Sequence, residues 1–575
     1  MSIILYLKKQ ENLFYSENLN DTLLKSNSVN ELSNKLTPFN NKKDSFFHLS
    51  DTVNIPTSPL NFLNKTQTIN HQKPEDFFFI DWVDSWSIGF FNNKELILAR
   101  DKMGNKHIYY YDCEDYFIFS EKLGHLLSLP FIPKELNVNV LIQYGPNFKR
   151  DGSTFYKNIN QLPKAHYISI KDSKLKLHSY WIPKVQSKIY YKNFNNYAEH
   201  FNEIYSKAVI NSLKGFKKPS IALSSGLDSG SMYALAAPFL ENKKQFLETI
   251  TWKSDVIDEN WNLPNRTTDE SHFVGQLTKN FNYTNSHIVS SKKGNILSFY
   301  KKQLKNCHQP VSTMMPHMME VYEKGKELGV DVMLNGFGGN FTVSYSGIPN
   351  LNLFNFKDTA RFFKNKVNDI LPVSTINKNT SRDYILNDAI EENIDNYSLL
   401  TPHLEQKRKM SKDFRYKHII NLIQSSSIQD ISVYTEALGF ESRTPVLDSR
   451  IIDYCLSIPI EVFYKNGVYK RLIKSAMHHK MPHKILYNKK RGLQGANYIS
   501  KLRHESKDIF NLLLEFKQSK LISYWLDIDL IKENLTYFIN PNTSRKDFRE
   551  KANLNIILRG IQIGLFLQKF ERGDY

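Results

Sequence analysis

Apolar and polar positions alternate with a period near two through the first third of the chain, and then the rhythm lengthens. The runs FFFIDWVDSWSIGFF, ELILARD, KHIYYYDCEDYFIFS, AHYISI and KLHSYWIP carry aromatic and β-branched residues at about every second position, bounded by Asp, Asn and Gly. This is the pattern of strands in a packed sheet system, and it holds to about residue 185. The polar segment PKVQSKIYYKNFNN then predicts a linker. After it, YAEHFNEIYSKAVINSL sets Phe201, Ile204, Tyr205, Val209 and Leu213 on one side of a helix.

Beyond residue 195 strands and helices alternate. SIALSS reads as a strand before a helix containing SMYALAAPFL, and FLETITW as a second strand before the helix SHFVGQLTKNF. The helix HMMEVYEKGKELG stops at Gly329 as a C-cap, and VDVMLNGFGGN is a buried strand running into a glycine-rich loop. Alternation of this kind predicts a parallel sheet whose ligand sits at the carboxyl ends of its strands. From about residue 350 the pattern is mainly helical. The predicted fold class is therefore α/β, with residues 1–185 and 195–575 as two domains, which suits a chain of 575 residues.

Charge and cysteine content narrow the setting. The formal net charge is +18, from 76 Lys+Arg against 58 Asp+Glu. A polyanionic partner would explain it, and so would a lysine- and asparagine-rich surface. No long basic run and no nucleic-acid-binding motif occurs, so nucleic acid is not expected. Cys113, Cys307 and Cys455 form no CxxC pair and no metal-ligand spacing, which suits a reducing cytoplasm. The first residues, MSIILYLKKQENLF, put the apolar run ahead of the lysines, the wrong order for a signal peptide. No stretch approaches the roughly 18 apolar residues of a membrane span, and a cytoplasmic location is expected.

The candidate chemistry lies in KKPSIALSSGLDSGSMYALAA, Lys217 to Ala237. A strand, a loop of small residues and a helix start present backbone N–H groups to an anion. Ser224-Ser225-Gly226-Leu227-Asp228-Ser229 lacks the spacing and the lysine of a Walker loop. Asp228 would repel a bare phosphate, but not one reached through a magnesium ion. A turn with Ser and Asp as ordinary helix caps gives the same local pattern.

LSSGLDS closely resembles the LSGGLDS pyrophosphate loop of the asparagine synthetase family, ATP pyrophosphatases that form acyl-adenylates. LILARDKMGNKHIYYY resembles the RDxxGxxPLYY segment of that family's amidotransferase-type N-terminal domain. ALGFESRTPVLDSRIIDYCLSIP resembles its GxExRxPFLD helix entry, and YKRLIKSAMHHKMPHKILYNKKRG resembles its KxxLRxA…RxKxG segment. The resemblance implies an Ntn-hydrolase-like sandwich over 1–185 and a PP-loop ATP pyrophosphatase domain over 195–575. It implies ATP and Mg2+, with Leu223, Ser224, Ser225, Gly226, Leu227, Asp228, Ser229, Ile250 and Gly336 binding nucleotide or pyrophosphate. Asp228 and Asn340 are its implied metal ligands, and Lys490 its implied catalytic lysine. Glu441 and Arg443 are candidates to position the amine or the adenylate; an internal ion pair explains them equally well. Asp448 reads as a helix cap.

Departures from the family bear on the substrate. Glutamine-using members need an N-terminal cysteine as nucleophile, and position 2 here is Ser2, so glutaminase activity is not expected. In the second loop, Leu334 to Gly347, the family's acid is Phe337 and its metal-binding Asp is Asn340. That version, with RGLQGANY at Arg491–Tyr498, is similar to the lasso peptide cyclases, a branch of the family. The resemblance implies a precursor peptide as substrate, a side-chain carboxylate adenylated and the peptide's own N-terminal amine closing a macrolactam. A leader-cleaving protease and a leader-binding protein are the implied partners. Asparagine synthetase proper and a β-lactam-synthetase-like small-molecule ligase are the alternatives.

Overall fold

The computed structural model describes residues 3–8, 13–18, 45–48, 85–91, 95–114, 116–144, 152–183, 188–254, 266–290, 296–311, 316–346, 413–488, 490–493, 495, 497–543 and 553–575. Residues 1 and 2, and the segment 347–412 between the two halves of the synthetase region, lie outside this set.

The first region is two antiparallel five-stranded sheets. β1 (Ile3–Lys8), β2 (Leu13–Asn18), β6 (Tyr109–Asp112), β7 (Tyr116–Ser120) and β8 (Ile159–Gln161) form one, in the order β2-β1-β7-β6-β8. β3 (Ser45–His48), β4 (Ser87–Phe91), β5 (Glu95–Arg100), β9 (His166–Lys171) and β10 (Lys174–Ser179) form the other, in the order β10-β9-β5-β4-β3. The period-two pattern resolves into faces: Leu96 and Leu98, Ile168 and Ile170, Phe117 and Phe119 share one core between the sheets. β7 is buried along its whole length because its other face, with Tyr116 and Ile118, meets a second core that includes Phe566 and Leu567 near the C-terminus. Two short helices, α1 (Leu123–Leu127) and α2 (Val138–Gln143), follow β7.

The predicted linker is packed rather than loose where it is described. Ile189 N donates to Ser457 O at 2.9 Å, and helix α3 starts within the predicted linker, spanning Phe194–Asn211. Tyr197, Phe201, Tyr205 and Val209 are buried on its inner face.

The second region is built on an all-parallel sheet in the order β14-β12-β11-β15-β16. Its strands are β11 (Pro219–Ala222), β12 (Leu247–Lys253), β14 (Thr284–Ser290), β15 (Val332–Leu334) and β16 (Glu441–Arg443). The predicted strands SIALSS, FLETITW and VDVML are β11, β12 and β15. β14 and β16 were not predicted. β14 is an edge strand of mostly polar, exposed residues, and β16 is three residues long with two charges. Helices α4 (Leu227–Asn242), α5 (Ser271–Thr278), α6 (Ile296–Cys307) and α7 (Pro316–Leu328) connect the strands. Gly329, at φ +67°, ends α7 as predicted.

The chain beyond 412 is mainly helical but not wholly so. It holds α8 (Phe414–Gln424), α9 (Ser427–Leu438) and α10 (Ser449–Ser457), with β16 between α9 and α10. Two further short helices, α11 (Arg471–Ala476) and α12 (His483–Leu486), lead to β17 (Arg491–Gly492). β17 pairs in parallel with β13 (Arg266–Thr267). Helices α13 (Tyr498–His504), α14 (Ser506–Gln518), α15 (Lys520–Trp525), α16 (Ile528–Ile539) and α17 (Leu554–Glu571) complete the structure. Among the described residues no helix is long and apolar enough to cross a membrane.

Candidate active site

β11 lies between β12 and β15, and the chain leaves it towards β12 and returns on its other side as β15. Such a reversal opens a crevice at the carboxyl ends of the two strands. Both candidate loops emerge there.

The first loop runs Leu223 to Gly226 into α4. Leu223 is buried, and its N–H donates to Ile250 O at 2.9 Å, extending the β11–β12 pairing by one residue. Ile250 itself is a core residue, in a cluster with Met319 and Tyr322. Ser224 and Ser229 fold the loop on itself: Ser229 Oγ lies 2.9 Å from Ser224 Oγ and accepts from Ser224 N at 3.0 Å. Gly226 N donates to Ser224 Oγ at 3.2 Å. Gly226 is the N-cap of α4 and offers no side chain, so the N-cap residue covers none of the helix's first-turn N–H groups. Tyr205 of α3 steadies that turn through its hydroxyl, 2.9 Å from Ser231 Oγ.

The second loop follows β15 and is shaped around Asp228. A β-carbon at Gly336 would stand 2.9 Å from the Asp228 β-carbon, and one at Gly339 would stand 2.5 Å from the Asp228 carboxylate. A side chain at either position would force Asp228 to shift. Gly338, at φ +81°, makes the turn between them. Asn335 ties this loop to β16: its N–H donates to Arg443 O at 3.0 Å and its side-chain nitrogen to Ser442 Oγ at 2.8 Å. Phe337, where the family has an acid, packs partly buried against the apolar cores on both sides of the sheet.

Asn340 sits exposed on this loop. Its Oδ1 accepts from Ser344 Oγ at 3.4 Å, and Lys470 Nζ donates to the same Ser344 oxygen at 3.3 Å. One carboxylate and one amide oxygen suit magnesium arriving with ATP, since that ion keeps phosphate and water oxygens as most of its ligands. Among the described residues no group of three or more His, Cys, Asp and Glu side chains is placed to hold a metal alone. Lys470 was not singled out from the sequence, although it lies in the Tyr469–Gly492 segment that carries the family resemblance.

Lys490 is exposed, just ahead of β17. The β17–β13 pairing brings this strand to Arg266 and Thr267, and Leu493 N extends it by donating to Thr267 O at 2.8 Å. Glu270, three residues beyond β13, accepts from Ser225 N at 3.1 Å and from the Ser225 hydroxyl. Burial pushes its carboxyl above the ordinary glutamate range, against the opposing effect of the Ser225 bonds. Glu270 is a residue that the sequence reading missed. Its one signal is the doubled acid DES at a helix start, where Asp269, one residue before the N-cap position that Glu270 occupies, already accepts from Ser271 N at 2.8 Å.

Glu441 and Arg443 face elsewhere. Lys106, from the turn after β5, donates to Glu441 at 2.9 Å and to Glu436 at 3.3 Å, while Arg443 Nε donates to Glu441 at 3.1 Å. Burial alone would depress the Lys106 ammonium; Glu436 and Glu441 more than offset it and hold it above the ordinary lysine range. The Lys106 turn is organised by Asp101, which accepts from the backbone N–H groups of Met103, Asn105 and Lys106 at 2.9–3.0 Å. Arg100, the last residue of β5, donates to Gln429 of α9 at 3.1 Å. The RDKMGNK segment thus docks the sandwich onto the synthetase domain. Asp448 caps α10 by accepting from Arg450 N at 2.9 Å, as its position predicts.

No cysteine is set up as a nucleophile among the described residues. Cys307 and Cys455 are buried, with burial raising the Cys455 thiol to about 12, and Cys113 closes a strand turn by donating to Tyr116 O at 3.4 Å.

An antiparallel sandwich clamped onto a parallel sheet, with a serine loop and a glycine loop meeting over one aspartate, defines a two-domain nucleotide-dependent synthetase. The asparagine synthase family model matches residues 200–555, well over half the chain, and a glutamine amidotransferase domain model matches residues 86–181. The chain belongs to the asparagine synthase family, ligases that form C–N bonds at the expense of ATP. It is 21% identical over 446 residues to asparagine synthetase [glutamine-hydrolyzing] 3 of Bacillus subtilis, covering 74% of this chain and 70% of that one. It is also 21% identical over 532 residues to asparagine synthetase [glutamine-hydrolyzing] 2 of the same organism, covering 85% and 66%. A solved allosteric regulatory enzyme of purine biosynthesis matches at 12% identity over 58% of this chain and 83% of that one, with a TM-score of 0.19. A glutamine phosphoribosylpyrophosphate amidotransferase from B. subtilis, complexed with ADP and GMP, matches at 11% over 44% and 57%, with a TM-score of 0.13.

Proposed function

We propose that the protein is an AMP-forming amide synthetase of the asparagine synthetase type, joining a carboxylic acid to an amine through an acyl-adenylate. The observation that carries this reading is the seat of Asp228 against Gly336 and Gly339, in the first turn of α4, whose N-cap Gly226 has no side chain. A carboxylate oxygen attacks the α-phosphorus of ATP, the bond to the β-phosphate bridging oxygen breaks, and pyrophosphate leaves. Negative charge grows on the leaving oxygens, where the helix N-terminus stabilises it. Magnesium held by Asp228, with Asn340 beside it, would neutralise the same charge. Lys490, and Lys470 through its bond to Ser344 of the Asn340 loop, would supply cations to the same charge. The amine nitrogen then attacks the acyl carbon, loses a proton, and AMP departs.

The relatives support a small acid such as aspartate more directly than a peptide. The amine need not come from glutamine hydrolysis by this chain, whose three cysteines all lie within or beside folded elements far from β1 in sequence. A second reading is favoured by Phe337, which places an apolar side chain where the family has an acid. In that reading the acid is a side chain of a precursor peptide and the amine is the peptide's own N-terminus, so that holding both ends makes ring closure first order. A protease freeing that amine and a protein holding the leader would be its partners.

One experiment separates these readings. Purified protein with MgATP is offered aspartate with ammonium, aspartate with glutamine, and a peptide bearing a free N-terminus and an internal Asp or Glu. Pyrophosphate and AMP are measured. Release with aspartate and formation of asparagine supports the first reading, and peptide-dependent release with loss of one water from the peptide supports the second. Pyrophosphate release with none of these acids, at any concentration, would sink both.

A further inference from the structure

Glu270 touches both the phosphate loop and the strand following Lys490. Its Oε1 accepts from Ser225 N at 3.1 Å and from the Ser225 hydroxyl, across 45 residues of sequence. The same carboxylate lies flat on Gly492 of β17, so closely that a β-carbon there would overlap both of its oxygens. By position Glu270 is the N-cap of α5, but its side chain makes no cap bond there; Asp269, one residue earlier, accepts from Ser271 N. Ser225 is nearly fully buried, and it stands at the first of the two glycines in the LSGGLDS loop that this segment resembles.

We infer that Glu270 is a positioning residue for the adenylation step: by bonding Ser225 and covering Gly492, it holds the phosphate loop and the Lys490 strand in fixed relation. The inference rests on the adenylation reading above and deepens it. The geometry has a chemical consequence. Glu270 uses up the donors of Ser225, so the anion is left the first-turn N–H groups of α4, which Gly226 does not cap. A fully charged carboxylate beside polyphosphate would be repulsive, and burial already shifts this group towards its neutral form. Bond geometry, not charge, is therefore its contribution. An amide oxygen accepts the same two bonds from Ser225, so glutamine should serve nearly as well.

The test uses the full chain and three variants, Glu270→Gln, Glu270→Ala and Ser225→Gly. Binding of magnesium α,β-methylene-ATP, which cannot be cleaved at the α-phosphorus, is measured by calorimetry. Hydrogen exchange at the Leu493 amide, which bonds Thr267 O, reports on the Lys490 strand. Glu270→Ala should weaken binding about tenfold or more and speed exchange at Leu493, and Glu270→Gln should stay within about threefold of wild type. Ser225→Gly, which keeps the N–H and loses the hydroxyl, should fall between them. In turnover, Glu270→Ala should lower kcat as well as raise KM for ATP, because it also frees the strand that carries Lys490. Glu270→Ala matching wild type in binding and exchange would overturn the inference. So would Glu270→Gln falling as far as Glu270→Ala, which would make charge the active property. If Glu270→Ala fails to fold, Ser225→Gly decides: binding unchanged from wild type rejects the tie, and weakened binding upholds it. Binding and exchange need no acid substrate, so failure to find an adenylated acid would count against the proposed function and leave this result standing.

Discussion

Asp228 lies against the backbone of Gly339: a β-carbon at that glycine would stand 2.5 Å from the Asp228 carboxylate, too close for any side chain. The acid of the first loop and the glycine of the second are thus one unit, and each explains the residue type of the other. Gly339→Ala must push Asp228 out of the crevice. We expect pyrophosphate release to fall on the order of 100-fold, close to the effect of Asp228→Ala. The melting temperature should drop only as far as about 1–3 kcal/mol of overpacking dictates. Full activity in Gly339→Ala, measured by a coupled pyrophosphate assay, would contradict the placement of Asp228 at the reacting phosphates.

Lys490→Ala should separate chemistry from binding. The side chain is exposed, so the fold should survive, while kcat falls roughly 100-fold with KM for ATP little changed, as for loss of a group that acts mainly in the transition state. Steady-state kinetics on the variant decide it, and an unaltered kcat would remove Lys490 from the mechanism.

Lys106 holds the two domains together through Glu441 and Glu436. Lys106→Met leaves the buried Glu441 to Arg443 alone and the half-buried Glu436 without that cation, and should destabilise the protein by up to about 3–5 kcal/mol near neutral pH. Burial already holds the Glu436 carboxyl above its ordinary value, with Lys106 opposing. Removing Lys106 raises it further, so the folded state binds more protons than the unfolded state, and stability falls as pH rises above the ordinary glutamate range. The variant's deficit in melting temperature should therefore be smaller at pH 5 than at pH 8. A deficit that is the same at both values would show that Lys106 contributes packing alone.

His317 contributes a pH dependence of the opposite sense. It is buried beside Trp252, its Nδ1 lies 2.7 Å from the Tyr498 hydroxyl, and burial with the charge of Lys501 pushes it down to about 3 from 6.5. Between those values the unfolded chain binds a proton that the folded one does not. The contribution is thus intact above about pH 6.5 and is lost on acidification, by up to roughly 1.4 kcal/mol per pH unit. His125 and His308, each lowered to about 4 chiefly by burial, add to the same trend. Thermal melts of wild type and His317→Asn from pH 7.5 to 4.5 should converge as pH falls, and parallel curves would refute the role given to His317.

Legibility from sequence followed the range of the contacts. The serine loop could be read because strand, small residues and helix start are adjacent in the chain, and that local order alone presents the N–H groups. The period-two runs of β5, β7 and β9 could be read because each of those strands has at least one face against an apolar core. β14 escaped notice as a polar edge strand, and β16 because three residues carry no period. Glu441 and Arg443 could not be assigned, since an acid and a base two apart look alike whether they face a substrate or a lysine 335 residues earlier.

By itself, the order of residues determined the period-two strands of the first region, the strand–helix alternation of the second, and the place of the serine loop between β11 and α4. It also pointed to the asparagine synthase family, through separate segments that are each read from residues adjacent in the chain. Only the tertiary structure decided what the charged side chains face: Glu441 turned to Lys106, Glu270 to Ser225 and Gly492, Asp228 to Gly336 and Gly339. The physical reason is that a charge takes its role from the partner that packing brings within hydrogen-bond distance, and those partners are far away along the chain.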